Sequence, residues 1–239
     1  MKIATLNIDW AQTYKTNNRI NAIQDAISLL DADIIVLTEA IMLDLPNYRH
    51  FYKTTTISTS EEYEDLNYSK YLKGHSAHRV IIYSKYQSSQ NHSVRDEATS
   101  ICQTFDTTIG RITLYCTIIG TWFTKKPVYA QKELDNCLFD CLNIAKEVDH
   151  FFLLGDFNTT FGESKNQIQV LKSARQELER LCKTCDLSLK TDVAGNINHI
   201  FVSNSVFQTH SLIDRKIIPK DGLSDHSGIL INIGEKYIS

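Results

Sequence analysis

The feature that most constrains the fold is an apolar run followed at once by polar residues, in the segment FFLLGDFNTT at positions 151–160. A short continuous apolar run is typical of a strand buried on both faces of a sheet, and Gly155 permits a sharp backbone turn at its end. Asp156 and Asn158 are two residues apart, so in an extended chain their side chains share one side. A carboxylate beside a neutral donor suits a site that activates water near an anionic oxygen. An ordinary turn closing the strand is the alternative.

The N-terminal part of the chain shows the same pattern of strands that end on polar residues. Residues 3–8 and 33–39 are strand-like and end around Asn7 and Glu39, and residues 16–30 between them carry apolar residues at helical spacing. The strand–helix–strand order favours parallel pairing, which places both C-terminal strand ends at one edge of a sheet. Asn7 and Glu39 are therefore expected to lie near each other, although a solvated strand end is the alternative for Glu39.

The rest of the chain predicts a second sheet and two further helices. Further strands are predicted, in order, at residues 79–84, 98–105, 111–119, 197–203, 206–213 and 226–233. Helices are predicted at 129–148 and 167–185 from their apolar spacing. Two polar stretches, 53–78 and 214–220, are interpreted as loops, with His75 and His78 of the first as a solvated pair.

Composition and charge limit the class of protein. The 239 residues, 42% of them hydrophobic, can bury one large core, so a single domain spanning residues 1–239 is expected. A balance of 25 basic and 28 acidic residues argues against a broad electrostatic nucleic-acid-binding surface, although a local basic rim stays open. No apolar run approaches the roughly 20 residues of a membrane-spanning helix.

The six cysteines are scattered through the sequence. Cys137 and Cys141 share the apolar face of a predicted helix and are interpreted as core thiols. Cys182 and Cys185 have the C-x-x-C spacing of zinc or redox sites, but no second ligand pair accompanies them, so a functional role is not favoured. Reduced thiols, and a start that enters a strand pattern with no signal peptide, lead to the expectation of a cytoplasmic protein.

The polar strand ends occur in an order that resembles one superfamily. In chain order they are Asn7, Glu39, the G-D-F-N segment 155–158, the N-H-I segment 198–200 and the S-D-H segment 224–226. This set is similar to that of the endonuclease/exonuclease/phosphatase superfamily of deoxyribonuclease I-like enzymes. The superfamily includes abasic-site endonucleases, neutral sphingomyelinases and inositol-polyphosphate 5-phosphatases. The resemblance covers essentially the whole chain and implies a four-layer α/β sandwich, with two packed mixed β-sheets flanked by helices.

The resemblance also implies metal-ion chemistry at this set of residues. Glu39 is expected to be the principal Mg²⁺ ligand, assisted by Asn7 and Asp225, with Mn²⁺ as a substitute. Magnesium prefers hard oxygen ligands and keeps several waters, so one or two carboxylates suffice.

The catalytic and phosphate-binding roles follow from the same resemblance. Asp156 is expected to orient or deprotonate the attacking water, and His226 to lie beside the scissile phosphate. Asn158 and Asn7 are expected to bind phosphate oxygens together with His226. The expected activity is a Mg²⁺-dependent phosphodiesterase whose partner is a phosphate-ester substrate, foremost a nucleic acid. A phosphatase or phosphodiesterase for a lipid head group or small molecule is the alternative.

Asn198 departs from the family pattern, which usually has an aspartate at this position to orient the motif histidine. An asparagine can still accept a hydrogen bond from His226, but it carries no charge and supports a protonated imidazole less. The segment 117–122 also lacks the histidine or tyrosine found there in several branches of the superfamily. A catalytically impaired binding module with the same fold is therefore a further alternative.

Overall fold

The computed structural model of the protein describes residues 1–9, 17–56, 77–120, 127–161, 167–191, 193, 195–220 and 223–236. The strands in this part of the chain are β1 Lys2–Asn7, β2 Ile34–Ile41, β3 His50–Lys53, β4 Ala77–Ser84, β5 Ser88–His92, β6 Ser100–Thr107, β7 Gly110–Ile118, β8 Phe151–Asp156, β9 Leu187–Leu189, β10 Asn198–Ser203, β11 His210–Ile218 and β12 Gly228–Glu235. The helices are α1 Asn17–Leu30, α2 Pro127–Ile144, α3 Ala174–Thr184 and α4 Val206–Thr209.

The strands form two six-stranded mixed sheets. Sheet A has the order β11-β12-β1-β2-β4-β3, and sheet B has the order β5-β6-β7-β8-β10-β9. β1 and β2 pair in parallel, as predicted, and so do β7 and β8. The remaining pairs are antiparallel. The second sheet predicted to begin in the middle of the chain is therefore present.

The sheets pack face to face, and helices cover their outer faces. The core between the sheets contains Ile3 and Val36 from sheet A and Phe152 and Leu154 from sheet B, all fully buried. Helix α1 packs on the outer face of sheet A, and helices α2 and α3 pack on the outer face of sheet B. This is the four-layer sandwich that the sequence predicts. A single domain spanning residues 1–239 stays a prediction.

The cysteines of the helix covering sheet B are core residues. Cys137 and Cys141 are fully buried between α2 and sheet B, which confirms their interpretation as core thiols. Burial raises the pKa of the Cys141 thiol well above its ordinary value. Cys182 and Cys185 close α3 without a disulfide bond. In the described residues no helix has the length and apolar character needed to cross a membrane.

Gly155 brings two strands of sheet B unusually close together. It pairs with Thr117 of β7 and has a φ of +140°. A Cβ atom at Gly155 would lie 1.8 Å from the carbonyl oxygen of Thr117, so any side chain would force the strands apart. Glycine is therefore required immediately before Asp156.

Three predicted elements differ from the structure. Residues 206–213 are not one strand, because α4 occupies Val206–Thr209 and β11 begins at His210. The basic stretch 214–220 is not a loop but supplies most of the second half of β11, which ends at Ile218. β11 is an edge strand with exposed residues on both faces, so it lacks the apolar alternation of a half-buried strand. The helix predicted at 167–185 begins only at Ala174.

His78 is not the solvated loop residue that the sequence indicated. It lies in β4, is 2% exposed, and its Nδ1 is 2.7 Å from the carbonyl oxygen of Thr54. Burial lowers the pKa of His78 below its ordinary value. The sequence does not indicate the start of β4, because the strand begins at Ala77 and its first residues include His78 and Arg79, before the apolar run that starts at Val80. His75 lies outside the described residues.

Candidate active site

The predicted site residues come together where strand ends of both sheets lie side by side. Asn7 ends β1 and Glu39 lies near the end of β2, in sheet A. Asp156 ends β8 in sheet B, and Asn198, the first residue of β10, pairs with it across the ladder. His226 lies just before β12. Residues from four other strand ends thus lie around the carboxylate of Asp156.

Asp156 is the centre of a hydrogen-bond network that joins the two sheets. Its side chain is 1% exposed. Oδ1 accepts a bond from the backbone N–H of Asn158 at 3.0 Å. Oδ2 accepts one from Asn7 Nδ2 at 2.9 Å and contacts His226 Nε2 at 3.1 Å. These bonds fix the direction of both carboxylate oxygens.

His226 lies between two carboxylates. Its Nε2 contacts Asp156 and its Nδ1 lies 2.5 Å from Oδ1 of Asp225. Both ring nitrogens face an acceptor, which favours the doubly protonated imidazolium. Burial alone lowers the pKa of His226, but the hydrogen bonds and charges of Asp156 and Asp225 outweigh it and raise this pKa to about 10. The hydrogen bond from His226 in turn lowers the pKa of Asp225.

Glu39 is crowded by other carboxylates. It is half-buried and has a φ of +45°, which turns its side chain out of the regular alternation of β2. Burial, followed by the negative charges of Asp156, Asp9 and Asp225, raises the pKa of Glu39 to about 8. Asp9 was not among the predicted site residues. Its position two residues after Asn7 is the signal by which it could have been found.

Asn158 is tied to the segment that follows β7. It has a φ of +44°, and its side-chain Nδ2 donates to the carbonyl oxygen of Ile119 at 2.9 Å. The backbone N–H of Ile119 donates to the carbonyl oxygen of Asp156, also at 2.9 Å. One N–H of the Asn158 amide is thus used within the protein, and an asparagine amide has a second one with which to contact a ligand.

Asn198 contacts the backbone beside His226 rather than its ring. The Asn198 side chain is fully buried, and its Nδ2 donates to the carbonyl oxygen of Ser227 at 3.0 Å. Its Oδ1 has no hydrogen-bond partner among the described residues, so it does not accept the expected bond from His226. Asp156 and Asp225 hold the imidazole instead. The catalytic role assigned to Asn198 stays a prediction.

Three buried polar atoms near the site have no partner in the described part of the chain. They are Thr5 Oγ1, Thr38 Oγ1 and Asn198 Oδ1, and all three residues are fully buried. Thr38 pairs with Asn7, and Asn198 pairs with Asp156. A buried polar atom without a partner costs about 1–3 kcal/mol. Such atoms mark places where an ordered water or an ion completes the hydrogen bonding.

The donor set fits a hard divalent cation. Glu39 and its carboxylate neighbours concentrate negative charge, which a cation would relieve. Across the described residues, no three His, Cys, Asp or Glu side chains are arranged to hold a metal by themselves, so no closed zinc-type site is formed. Magnesium binds through one or two carboxylates and retains several waters, which matches this arrangement.

Sequence comparison identifies the family. The profile of the Endonuclease/Exonuclease/phosphatase family matches residues 4–226, a range that contains all the strand ends described above. The chain belongs to this family. Its members are phosphoester hydrolases, with nucleases and phosphatases among them. No curated protein matches the chain in sequence.

Solved structures of the Endonuclease/Exonuclease/phosphatase fold match the chain over nearly its whole length. A 3′ phosphatase from Neisseria bound to a product DNA hairpin is 16% identical with a TM-score of 0.69, covering 98% of this chain and 99% of that chain. A 3′–5′ exonuclease from Neisseria meningitidis is 16% identical with a TM-score of 0.67, covering 97% and 99%. An AP endonuclease from Archaeoglobus fulgidus is 14% identical with a TM-score of 0.67, covering 97% and 98%. At such identities the likeness shows the deoxyribonuclease I-like fold.

Proposed function

We propose that this protein is a Mg²⁺-dependent phosphodiesterase that hydrolyses nucleic acid. The observation that carries the proposal is the hydrogen bonding of Asp156, which is buried, oriented by Asn7 and paired with the imidazole of His226. Its family membership supports phosphoester hydrolysis as the reaction type.

Asp156 has room for one more hydrogen-bond donor. A carboxylate has about four lone-pair sites, and three are used here: one on Oδ1 by Asn158 and two on Oδ2 by Asn7 and His226. The remaining site, on Oδ1, is where an attacking water would bind. Held there, the water is oriented by a fixed carboxylate, which accepts its proton as it attacks phosphorus.

His226 and Asn158 would bind the phosphate group. The imidazolium supplies positive charge next to the attacking water, where negative charge grows on the phosphate oxygens during attack. Its Nδ1 partner Asp225 has a side chain that is 68% exposed, so a phosphate oxygen can replace it without leaving a buried charge unpaired. The second N–H of the Asn158 amide offers a neutral donor to the same group.

The metal ion would be held mainly by Glu39, with Asp225 and Asn7 assisting. Bound there, Mg²⁺ supplies Lewis-acid stabilisation of the phosphate charge and of the leaving oxygen. Mn²⁺ suits the same oxygen ligands and would substitute for it.

Nucleic acid is the proposed substrate class because two of the similar structures are a 3′ phosphatase bound to a product DNA hairpin and a 3′–5′ exonuclease. The net charge of -3 keeps a lipid head group or small phosphate ester as the alternative substrate. The salt dependence of binding distinguishes the two substrate classes, because affinity for a nucleic-acid phosphate backbone decreases steeply as the salt concentration increases. The cytoplasmic location expected from the sequence stays a prediction.

The test measures hydrolysis of supercoiled plasmid, an abasic-site duplex, a 3′-phosphorylated hairpin and bis-p-nitrophenyl phosphate, with and without Mg²⁺. Glu39→Gln and Asp156→Asn should each abolish turnover, whereas Glu179→Gln, on the exposed surface of α3, should not alter it. Turnover that survives both site substitutions would contradict the assignment of the site. Absence of hydrolysis of every substrate with Mg²⁺ or Mn²⁺ would favour the impaired binding module.

A further inference from the structure

A buried ion pair connects sheet A to the helix that covers sheet B. Nη1 of Arg79, in β4, lies 2.6 Å from Oε1 of Glu133, in α2, and both side chains are 0% exposed. Removing two charges from water costs several kcal/mol each, and apolar residues of similar volume often replace such a pair with no loss of stability. Stability alone therefore does not account for the pair.

The second carboxylate oxygen of Glu133 holds the backbone just after β7. Oε2 accepts a hydrogen bond from the N–H of Gly120 at 2.6 Å. Gly120 has a φ of +88°, a left-handed conformation that suits glycine and differs from the extended backbone of a strand. Glu133 thus uses one oxygen for Arg79 and the other for this corner, which consists of Ile119 and Gly120.

The Ile119–Gly120 corner is in direct contact with the active site. The carbonyl oxygen of Ile119 accepts a hydrogen bond from the side-chain amide of Asn158. The backbone N–H of Ile119 donates to the backbone carbonyl oxygen of Asp156. The position of the corner therefore affects, through these two hydrogen bonds, the positions of Asn158 and Asp156, which are proposed to bind phosphate and water.

Arg79 is also close to the other half of the site through its own strand. Its neighbours in β4 are His78, which pairs with Ala40, and Val80, which pairs with Thr38. Arg79 thus lies across from the segment that carries Glu39, while its guanidinium reaches the helix on the far side of the sandwich.

We infer that Arg79 and Glu133 are positioning residues for phosphoester hydrolysis. They fix the Ile119–Gly120 corner relative to sheet A, and the corner in turn sets where Asn158 and Asp156 lie with respect to Glu39. Neither residue contacts the substrate. The inference rests on the proposed function for its effect on turnover, but its structural part, the control of Asn158 by Glu133, does not.

Two double variants separate positioning from stability. Arg79→Met/Glu133→Gln (Met/Gln) and Arg79→Met/Glu133→Met (Met/Met) both remove the two charges of the Arg79–Glu133 pair together. Only the glutamine of Met/Gln retains an acceptor for the Gly120 N–H. With the substrate that the wild type hydrolyses best, kcat of the Met/Met variant should be at least about tenfold below that of the Met/Gln variant, since small displacements of reacting groups lower rates strongly. KM should be similar in the two, whereas Tm should be lower in the Met/Met variant, because the buried N–H of Gly120 has lost its acceptor.

Tyr115→Phe is a matched control for the loss of a buried hydrogen bond near α2. The Tyr115 hydroxyl donates to Oδ2 of Asp140, a residue of the same helix as Glu133. This variant should lower Tm and leave kcat unchanged. If the Met/Met variant does not fold, Glu133→Asp tests the same contact with Gly120. It keeps the charge near Arg79 but shortens the reach to Gly120, so kcat should fall.

A second readout does not need a substrate. Amide proton NMR of the Gly120 N–H and the Asn158 side-chain NH₂ should show slow exchange in the wild type and the Met/Gln variant, and fast exchange in the Met/Met or Glu133→Asp variant. Unchanged Asn158 protection in those variants, or equal kcat in the two double variants, would overturn the inference. If the wild type hydrolyses nothing, the proposed function fails while the NMR result alone decides whether Glu133 positions Asn158.

Discussion

The side-chain amide of Asn7 donates to Oδ2 of Asp156 at 2.9 Å, although the two residues are 149 positions apart in the chain. Asn7 ends a strand of sheet A and Asp156 ends a strand of sheet B, so this bond spans the two sheets at the site. The carboxylate proposed to orient water is therefore oriented itself by a residue of the opposite sheet.

Replacing Asn7 with alanine should reduce activity more than stability. The substitution removes a donor from Asp156 and frees the carboxylate to rotate, so kcat/KM should fall about 100-fold. The free energy of unfolding should fall by only about 1–2 kcal/mol, as for loss of one buried hydrogen bond. Steady-state kinetics and urea titration measure the two effects. Ser203→Ala, which removes a hydrogen bond to Phe151 at the other end of β10, should reduce stability alone. Equal loss of activity in both variants would contradict the assignment.

Gly155→Ala should destabilise the protein severely. The new Cβ would lie 1.8 Å from the Thr117 carbonyl oxygen, so β7 and β8 must separate, and a loss of more than about 3 kcal/mol is expected. Gly195→Ala is the matched comparison. It also has a positive φ, +78°, but a Cβ there meets nothing within 4 Å, so only backbone strain of about 1 kcal/mol should appear. Denaturant titration of both variants tests the difference, and similar losses would show that backbone strain rather than strand contact dominates.

His199 should make stability depend on pH in the acid range. Burial is the main cause that lowers the pKa of His199 from 6.5 to about 4, and its neutral ring contacts the carbonyl oxygen of Thr159 through Nε2 at 3.0 Å. The unfolded chain therefore takes up a proton before the folded one does. The contribution is complete above about pH 6.5 and decreases as pH falls towards 4, by about 3 kcal/mol in total.

His199→Gln should flatten this dependence. Unfolding free energies measured by urea titration between about pH 7 and pH 4.5 give the slope for each protein. His210→Gln, at the start of the edge strand β11, serves as the control and should retain the wild-type slope. A slope that His199→Gln leaves unchanged would show that another group titrates in this range.

Asn198→Asp should not increase turnover. Asn198 donates its amide to the Ser227 carbonyl oxygen, and a carboxylate at this position would face that oxygen without a proton between them. Since Asp156 and Asp225 already hold His226, the variant should lose about 1–3 kcal/mol of stability and gain no activity. Kinetics and thermal unfolding of the purified variant test this. A large gain in kcat would instead show that the asparagine limits catalysis.

Much of this architecture is predictable from local sequence patterns. The strands that end on Asn7, Glu39 and Asp156 are buried apolar runs, and the connection between the first two fixes their parallel pairing. A strand that is buried on both faces of its sheet is a continuous apolar run, which is a strong sequence signal for a strand. The edge strand β11 carries only a weak sequence signal for a strand, because its second half is mostly exposed and rich in charge. In sequence, residues 214–220 are therefore typical of a loop.

The remaining features depend on contacts between distant segments. Glu133 lies on the buried face of α2, four residues before Cys137, but its partner Arg79 is 54 positions earlier in the chain. The imidazole of His226 contacts Asp225, its neighbour in sequence, and also Asp156, which is 70 positions away. The contact with Asp156 forms only when the two sheets pack together. Neither spacing nor composition reports such pairs.

The position of β1 inside sheet A, between β2 and β12, affects when the protein can become reactive. During synthesis Asn7 and Glu39 leave the ribosome early, whereas His226 is made 219 residues after Asn7 and 187 residues after Glu39, and β12, which pairs with β1, follows it. A partial chain that stops before His226 lacks both the imidazole and β12, the strand that flanks β1. The site proposed for phosphoester hydrolysis is therefore incomplete in a nascent chain until β12 has joined sheet A.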